Sequence, residues 1–282
     1  MSFGFVIADL KLPENGFSVP ARFGTWEFEK MSWYDKILPE LAKGQCGNTF
    51  NAFNEAVTPS ISDADFGAAC EDLRNLCLLL SFKNATCVTP TGSTQYSVPS
   101  LLALGDSFVP ARAIRGFPEL MPTNSVTSLL TKGISGFSSA QSHYLRLLMT
   151  HWISGLTCYT LEDLFLAICV LLDIVKQIEI SISGKQLTYA QGMTDSSKRL
   201  GIAPLQGAVT KMRNDLVHEG RLSGTNFRNR TKSDCAQVIA NALNWLDEYL
   251  IATLGISGEV KGMPRWKVND VEHYLPAFSL VP

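Results

Sequence analysis

From Leu161 to about Ile180 the apolar side chains fall at 161, 164, 165, 168, 171, 172, 175 and 178. This is helical spacing, and it gathers them into one wide stripe on an α-helix. A stripe this wide must be covered by other elements, so the segment requires a helix-on-helix architecture. Thr160 stands where an N-cap belongs, and Ser183-Gly184 stands where the helix should stop.

The flanking segments supply the covering helices. Ser138 to Ile153 brings Tyr144, Leu145, Leu148, Met149 and Trp152 to one side. A weaker helix is expected over Thr188 to Leu200, closed by Gly201, and another over Leu205 to Glu219, closed by Gly220. A polar loop, Arg221 to Lys232, leads to a last long helix from Ser233 to Leu254, with Gly255 as its stop. Short connections favour antiparallel neighbours, so residues 136–256 read as a bundle of four to five helices. The tail, 257–282, carries Trp266 and Tyr274 and is expected to pack on the body.

Residues 1–135 have a different character. Phe3 to Leu12 and Thr25 to Phe28 read as strands, with Pro13-Glu14-Asn15-Gly16 as a turn. Tyr34 to Ala42 reads as a short helix followed by a glycine-marked loop. Residues 63–82 read as a helix capped by Asp63, with Phe66, Cys70, Leu73, Cys77 and Leu80 inward. Short strands are expected at Thr86-Val88 and Gln95-Val98. Pro110, Pro118 and Pro122 mark the stretch up to Gly136 as a connector between domains. The expected fold class is α+β, an N-terminal mixed α/β domain followed by an all-α bundle.

Composition narrows the function classes. Of 282 residues, 46% are hydrophobic and 18% charged, which suits packed domains rather than long disordered tails. The seven cysteines include no CxxC pair, an expectation of a reducing compartment and of no zinc site. No metal or cofactor is expected, since no ligand cluster, Walker loop or GxGxxG occurs. The N-terminus lacks a signal-peptide core and no apolar run is long enough for a bilayer, so the expected location is cytoplasmic and not membrane-bound. The net charge is −2, yet residues 198–232 hold eight Lys and Arg against two acidic residues. That basic segment reads either as a phosphate-binding surface or as a solvated face.

Within it lies Arg213-Asn214-Asp215-Leu216-Val217-His218. With Arg213 as zero and about 100° per residue, Val209 lies near about 320°, Leu216 near about 300° and Val217 near about 40°. Arg213 therefore falls among apolar neighbours, and the polar face opens through Asn214 to His218. A half-buried arginine needs a partner. The partner is a carboxylate such as Glu162, Asp163 or Asp173, a bound phosphate, or a second copy of the helix. A bland alternative is a salt-bridged arginine with a histidine complementing the helix C-terminus. His143, His151 and His273 have no comparable setting.

This motif, on the penultimate helix of an all-α half, resembles the HEPN family, and Arg-Asn-Asp-Leu-Val-His-Glu-Gly resembles its Apea-like branch most. The resemblance spans about residues 136–256. It implies a metal-independent endoribonuclease, a toxin or antiviral defence effector, acting on RNA (transfer RNA among the substrates) as a homodimer with a composite site. It implies His218 as general acid/base, Arg213 as transition-state ligand and Asn214 as the residue orienting His218 or the RNA backbone. Asp215 either tunes the imidazole or is solvated, and Arg221, Arg228, Arg230 and Lys232 are expected at the RNA backbone. The N-terminal domain is expected to bind a regulatory partner or trigger. Two rivals stand beside this: a non-catalytic helical interaction or nucleotide-binding module, and a regulatory subunit whose N-terminal domain carries the function.

Overall fold

The computed structural model describes residues 3–42, 45–58, 60–84, 86–93, 125–138, 141–155, 158, 160–260 and 265–272. The chain divides into two compact units, the first ending at Ser138 and the second beginning at Ser139; Gly258–Met263 belongs to the first and the residues after it to the second. The fold class is α+β. A small antiparallel sheet lies at the N-terminus and the remainder is mostly helical.

The first unit is built on five strands, β1 (Phe3–Ala8), β2 (Gly16–Ala21), β3 (Gly24–Lys30), β4 (Asn48–Asn54) and β5 (Thr89–Ser93), in the order β2-β3-β4-β1-β5. Helices α1 (Tyr34–Ala42), α2 (Asp63–Asn84) and α3 (Val126–Ser135) accompany them. Phe5, Trp26, Phe28 and Phe50 are fully buried. The Phe5 ring lies 5.7 Å from that of Trp26 and 6.4 Å from that of Phe66, so the aromatic side of the sheet meets α2. Bringing several large rings together on one sheet face is what lets so small a sheet hold a core.

Three elements here depart from the sequence reading. β2 contains Pro20, which reads as a strand breaker. It is tolerated because β2 is the edge of the sheet, where one side of the strand has no ladder to join. β4, Asn-Thr-Phe-Asn-Ala-Phe-Asn, reads as loop because asparagine disfavours strands, yet pairing with β1 and β3 on both sides fixes it. α3 occupies ground read as connector. Ser125 caps it by accepting from the Ser128 N–H, and Val126, Leu129 and Leu130 are buried. The strand expected at Thr86-Val88 starts later, at Thr89. The Gln95-Val98 strand and the proline-marked stretch lie outside the described residues.

The second unit follows the expected helical order: α4 (Ser142–Gly155), α5 (Leu161–Ser183), α6 (Tyr189–Leu200), α7 (Gly207–Glu219), α8 (Lys232–Thr253) and the short α9 (Val268–Glu272). Thr160 caps α5, and Gly184, Gly201 and Gly220 end α5, α6 and α7 in the left-handed conformation that glycine adopts without penalty. α5 touches α4, α6, α7 and α8, which is how its wide apolar stripe is covered. Glu179 of α5, almost fully buried, takes both Arg199 Nε and a terminal guanidinium nitrogen from α6. Such a bidentate pair fixes the angle between two helices as well as neutralising a buried charge.

Asp247 of α8 ties the tail to the bundle. It is buried and accepts from Trp152 Nε1 of α4 at 3.0 Å and from Trp266 Nε1 at 2.9 Å. Trp266 thus shares the Asp247 carboxylate with Trp152; Tyr274 and His273 lie outside the described residues. Asp247→Ala removes the carboxylate to which both buried indole N–H groups donate, at roughly 1–3 kcal/mol for each bond. We expect a loss of about 2–6 kcal/mol in urea unfolding followed by far-UV circular dichroism; a loss below about 1 kcal/mol would contradict the role given to this carboxylate.

Candidate active site

α7 is a helix of ordinary length with two unlike sides. Val209, Met212 and Asp215 are buried, whereas Val217 is 50% exposed and His218 is exposed. The buried stripe therefore centres on Met212, and Val217 is not part of it. Asp215, nearly opposite Val217 on the wheel, lies on the inner side, where the following loop holds its carboxylate. The consequence is that Arg213, Asn214, Val217 and His218 share the outer side of α7.

Arg213 is half-buried, and its partner among the three carboxylates expected is Asp173 of α5, 3.0 Å from a terminal guanidinium nitrogen. Lys176, one turn further along α5, lies 3.9 Å from the other Asp173 oxygen. The guanidinium carbon sits 4.7 Å from the centre of the Tyr189 ring at the start of α6. Three helices thus locate this one side chain, with a charge pair on one side and a cation–π contact on the other. Arg213 Nε and the Tyr189 hydroxyl are both buried and make no hydrogen bond among the described residues.

The electrostatics follow from this packing. Burial works against the Arg213 charge, but the hydrogen bond and charge of Asp173 outweigh it, and the guanidinium pKa lies above its ordinary value. Burial, reinforced by the neighbouring Cys169 thiol, pushes the Tyr189 phenol well above the usual tyrosine range, so it keeps its proton at neutral pH. Burial likewise pushes the Cys169 thiol up to about 12, so it is an inert neighbour rather than a nucleophile. Tyr189, Asp173 and Cys169 carry no motif in the sequence. Only the meeting of α5, α6 and α7 brings them to Arg213.

Asp215 requires a correction. It neither tunes an imidazole at the surface nor is solvated: it has no exposed area, and its carboxylate accepts from the backbone N–H groups of Gly224, Asn226 and Phe227 and from the Asn226 side chain. With these bonds in place it has no free edge to offer a substrate. Burial by itself would raise its pKa; these four donors reverse that and hold it below the ordinary aspartate value. The basic residues of the loop are also engaged. Arg221 is paired with Glu219 at 2.6 Å, Arg228 Nε donates to the Thr225 carbonyl, and the Arg230 guanidinium lies 5.1 Å from the Phe227 ring centre. Lys232 donates to the Glu272 carbonyl at 2.8 Å. Arg221, Arg228 and Arg230 remain exposed, whereas Lys232 is half-buried and turned toward α9.

Two outcomes check this account. The Arg213–Asp173 pair is open to solvent on the aspartate side, so Asp173→Asn should cost less than about 1 kcal/mol in thermal unfolding. The same change frees a guanidinium edge and should strengthen sulfate or phosphate binding about 3–10-fold by calorimetry; unchanged anion affinity would show that Asp173 does not occupy that edge. Asp215 has a lowered folded pKa, so the stability it gives the loop is complete above the unfolded aspartate value and is lost as pH falls through the folded value. Hydrogen exchange at Gly224, Asn226 and Phe227 should accelerate in acid before that of α5 or α8.

Among the described residues no group of three or more His, Cys, Asp or Glu side chains is placed to hold a metal ion, and no helix is long and apolar enough to cross a membrane. Comparison with known protein families, with curated proteins and with solved structures finds no match to this chain in any of the three.

Proposed function

We propose that the chain is a metal-independent endoribonuclease of the HEPN type, with Arg213, Asn214 and His218 at its centre. The observation that carries this reading is the outer side of α7. An exposed imidazole follows five residues after an arginine that α5 and α6 hold in place. RNA brings its own nucleophile, so the protein needs only to move protons and to stabilise charge. The 2′-hydroxyl attacks the adjacent phosphorus as its proton passes to an imidazole. The bond from phosphorus to the 5′-oxygen breaks, and that oxygen takes a proton from an imidazolium. The products are a 2′,3′-cyclic phosphate and a 5′-hydroxyl end. Arg213 stabilises the charge gathering on the non-bridging oxygens, and Asn214 orients the imidazole or the RNA backbone.

One imidazole cannot accept and donate in the same instant, which favours a second copy of the chain that contributes its own His218. Leu166 and Val170 of α5 and Val217 of α7 are exposed apolar residues on the helices that carry Asp173 and Arg213, an arrangement suited to such a pairing. In this reading the helices α4 to α8 form the HEPN-like bundle, the loop after α7 meets the RNA backbone, and the first unit responds to a regulatory partner. The role as a toxin or defence effector rests on the resemblance.

A second reading has an observation in its favour. Arg213 already has a carboxylate partner, which is what a helical interaction module without catalysis would show. One assay separates the two: the purified chain with mixed RNA in excess EDTA, beside Arg213→Ala and His218→Ala. The nuclease reading expects cleavage in chelator, cyclic-phosphate ends, and a loss of at least about 10²-fold in each variant. Folded variants that cleave as well as the parent, or a parent that cleaves no RNA, would establish the interaction module instead.

A further inference from the structure

The last turn of α7 carries two carboxylates one turn apart, and both are directed into the loop that follows. Asp215 takes the N–H groups of Gly224, Asn226 and Phe227 at 2.9, 2.9 and 2.6 Å. Glu219 takes the Thr225 N–H at 2.9 Å on one oxygen and the Arg221 guanidinium, through Nε at 3.0 Å and a terminal nitrogen at 2.6 Å, on the other. The loop between α7 and α8 thus hangs on four consecutive N–H groups, 224 to 227, held by two side chains of the preceding helix. Gly224 is part of the fit. A Cβ there would stand 2.6 Å from a Glu219 oxygen and 2.9 Å from the Asp215 carboxyl carbon, so any other residue requires one or both carboxylates to shift from the loop N–H groups they hold.

The rest of the loop is locked in the same way. Ser223 Oγ donates to the Phe227 carbonyl at 2.8 Å and accepts from the Arg230 N–H at 3.1 Å. Leu222 and Phe227 are buried beneath it. The outward side carries Arg221, Arg228 and Arg230, each anchored by the contact already described: a carboxylate, a carbonyl and an aromatic ring. Asp215 is fully buried, Glu219 is partly exposed beside Arg221, and Arg221, Arg228 and Arg230 are exposed. A surface loop built only to connect two helices has no need of this order.

We propose that Asp215 and Glu219 are positioning residues that hold Arg221, Arg228 and Arg230 as a preformed platform for the phosphate backbone of the strand cut at His218. The proposal rests on the reading of RNA as the ligand. Holding the arginines in place before binding removes the entropy cost of ordering them one by one, which is what preorganisation contributes to affinity. Each phosphate contact also releases counterions, so the platform has a signature that simple structural support lacks: a steep salt dependence.

The test measures binding of a 2′-O-methyl oligoribonucleotide, whose blocked nucleophile prevents cleavage, to the full chain at several salt concentrations. Gly224→Ala, Asp215→Asn and Glu219→Gln are compared with a control in which Arg221, Arg228 and Arg230 are all alanine, with circular dichroism confirming helix content. The control should lower the slope of log affinity against log salt by about 2, the value for three contacts to a single strand. Gly224→Ala changes no charge, yet it should weaken binding at least about 10-fold and bring the slope down toward that of the control. Asp215→Asn and Glu219→Gln should do the same although each removes a negative charge, which by charge alone would tighten binding. Folded variants with the parent's slope and affinity, or tighter binding in the two carboxylate variants, would overturn the proposal. Because the methylated strand cannot be cut, these outcomes are independent of whether Arg213 and His218 perform the chemistry.

Discussion

The covering of α5 is the constraint on which the second unit depends. Its apolar side chains occupy too much of its circumference for one neighbour to bury, and four helices, α4, α6, α7 and α8, lie against it. Packing of this kind fixes rotation as well as position, since each helix must present its own apolar side. α7 has only Val209 and Met212 to offer as fully buried apolar residues, so its orientation is narrowly determined. Turning them inward leaves Arg213, Asn214 and His218 no option but the outer side. The outward placement of these polar residues is therefore a consequence of what the core excludes.

Charge completes what packing begins. α5 is not wholly apolar: Asp173 and Glu179 interrupt it, and each meets an arginine from a neighbouring helix. The two pairs differ in kind. Glu179 is buried and its pairing with Arg199 is structural, joining α5 to α6. Asp173 is well exposed and its hold on Arg213 is weaker, since water competes for both partners. The same helix thus uses one buried carboxylate to join α5 to α6 and a more exposed one to hold Arg213 of α7.

Much of the fold was legible from the order of residues. The helix caps and stops were read nearly to the residue at Thr160, Gly184, Gly201 and Gly220, because a cap is a local event decided by a few adjacent side chains. The misreadings fall where long-range pairing overrules local preference. β4 is rich in asparagine and β2 contains a proline, and each becomes a strand only because of where it lies in the sheet. The helical wheel failed in the same way at Val217. It counted Val217 among the apolar neighbours of Arg213, yet Val217 is half exposed, while on the other side of the helix Asp215 is buried because four loop donors compensate its charge.

The sequence by itself determined an α+β chain with a helical second half. It also determined a basic segment from residue 198, and a helix on which Arg213, Asn214 and His218 lie within six consecutive residues. These are matters of spacing, and spacing is local. Only the tertiary structure decided that Asp173 and Tyr189 are the partners of Arg213, since 40 residues of chain separate Arg213 from Asp173. Only it turned Asp215 from a surface residue of the site into the internal anchor of the loop. Both decisions follow from one physical fact: a charge taken out of water must find its compensation nearby, and what is nearby is set by packing.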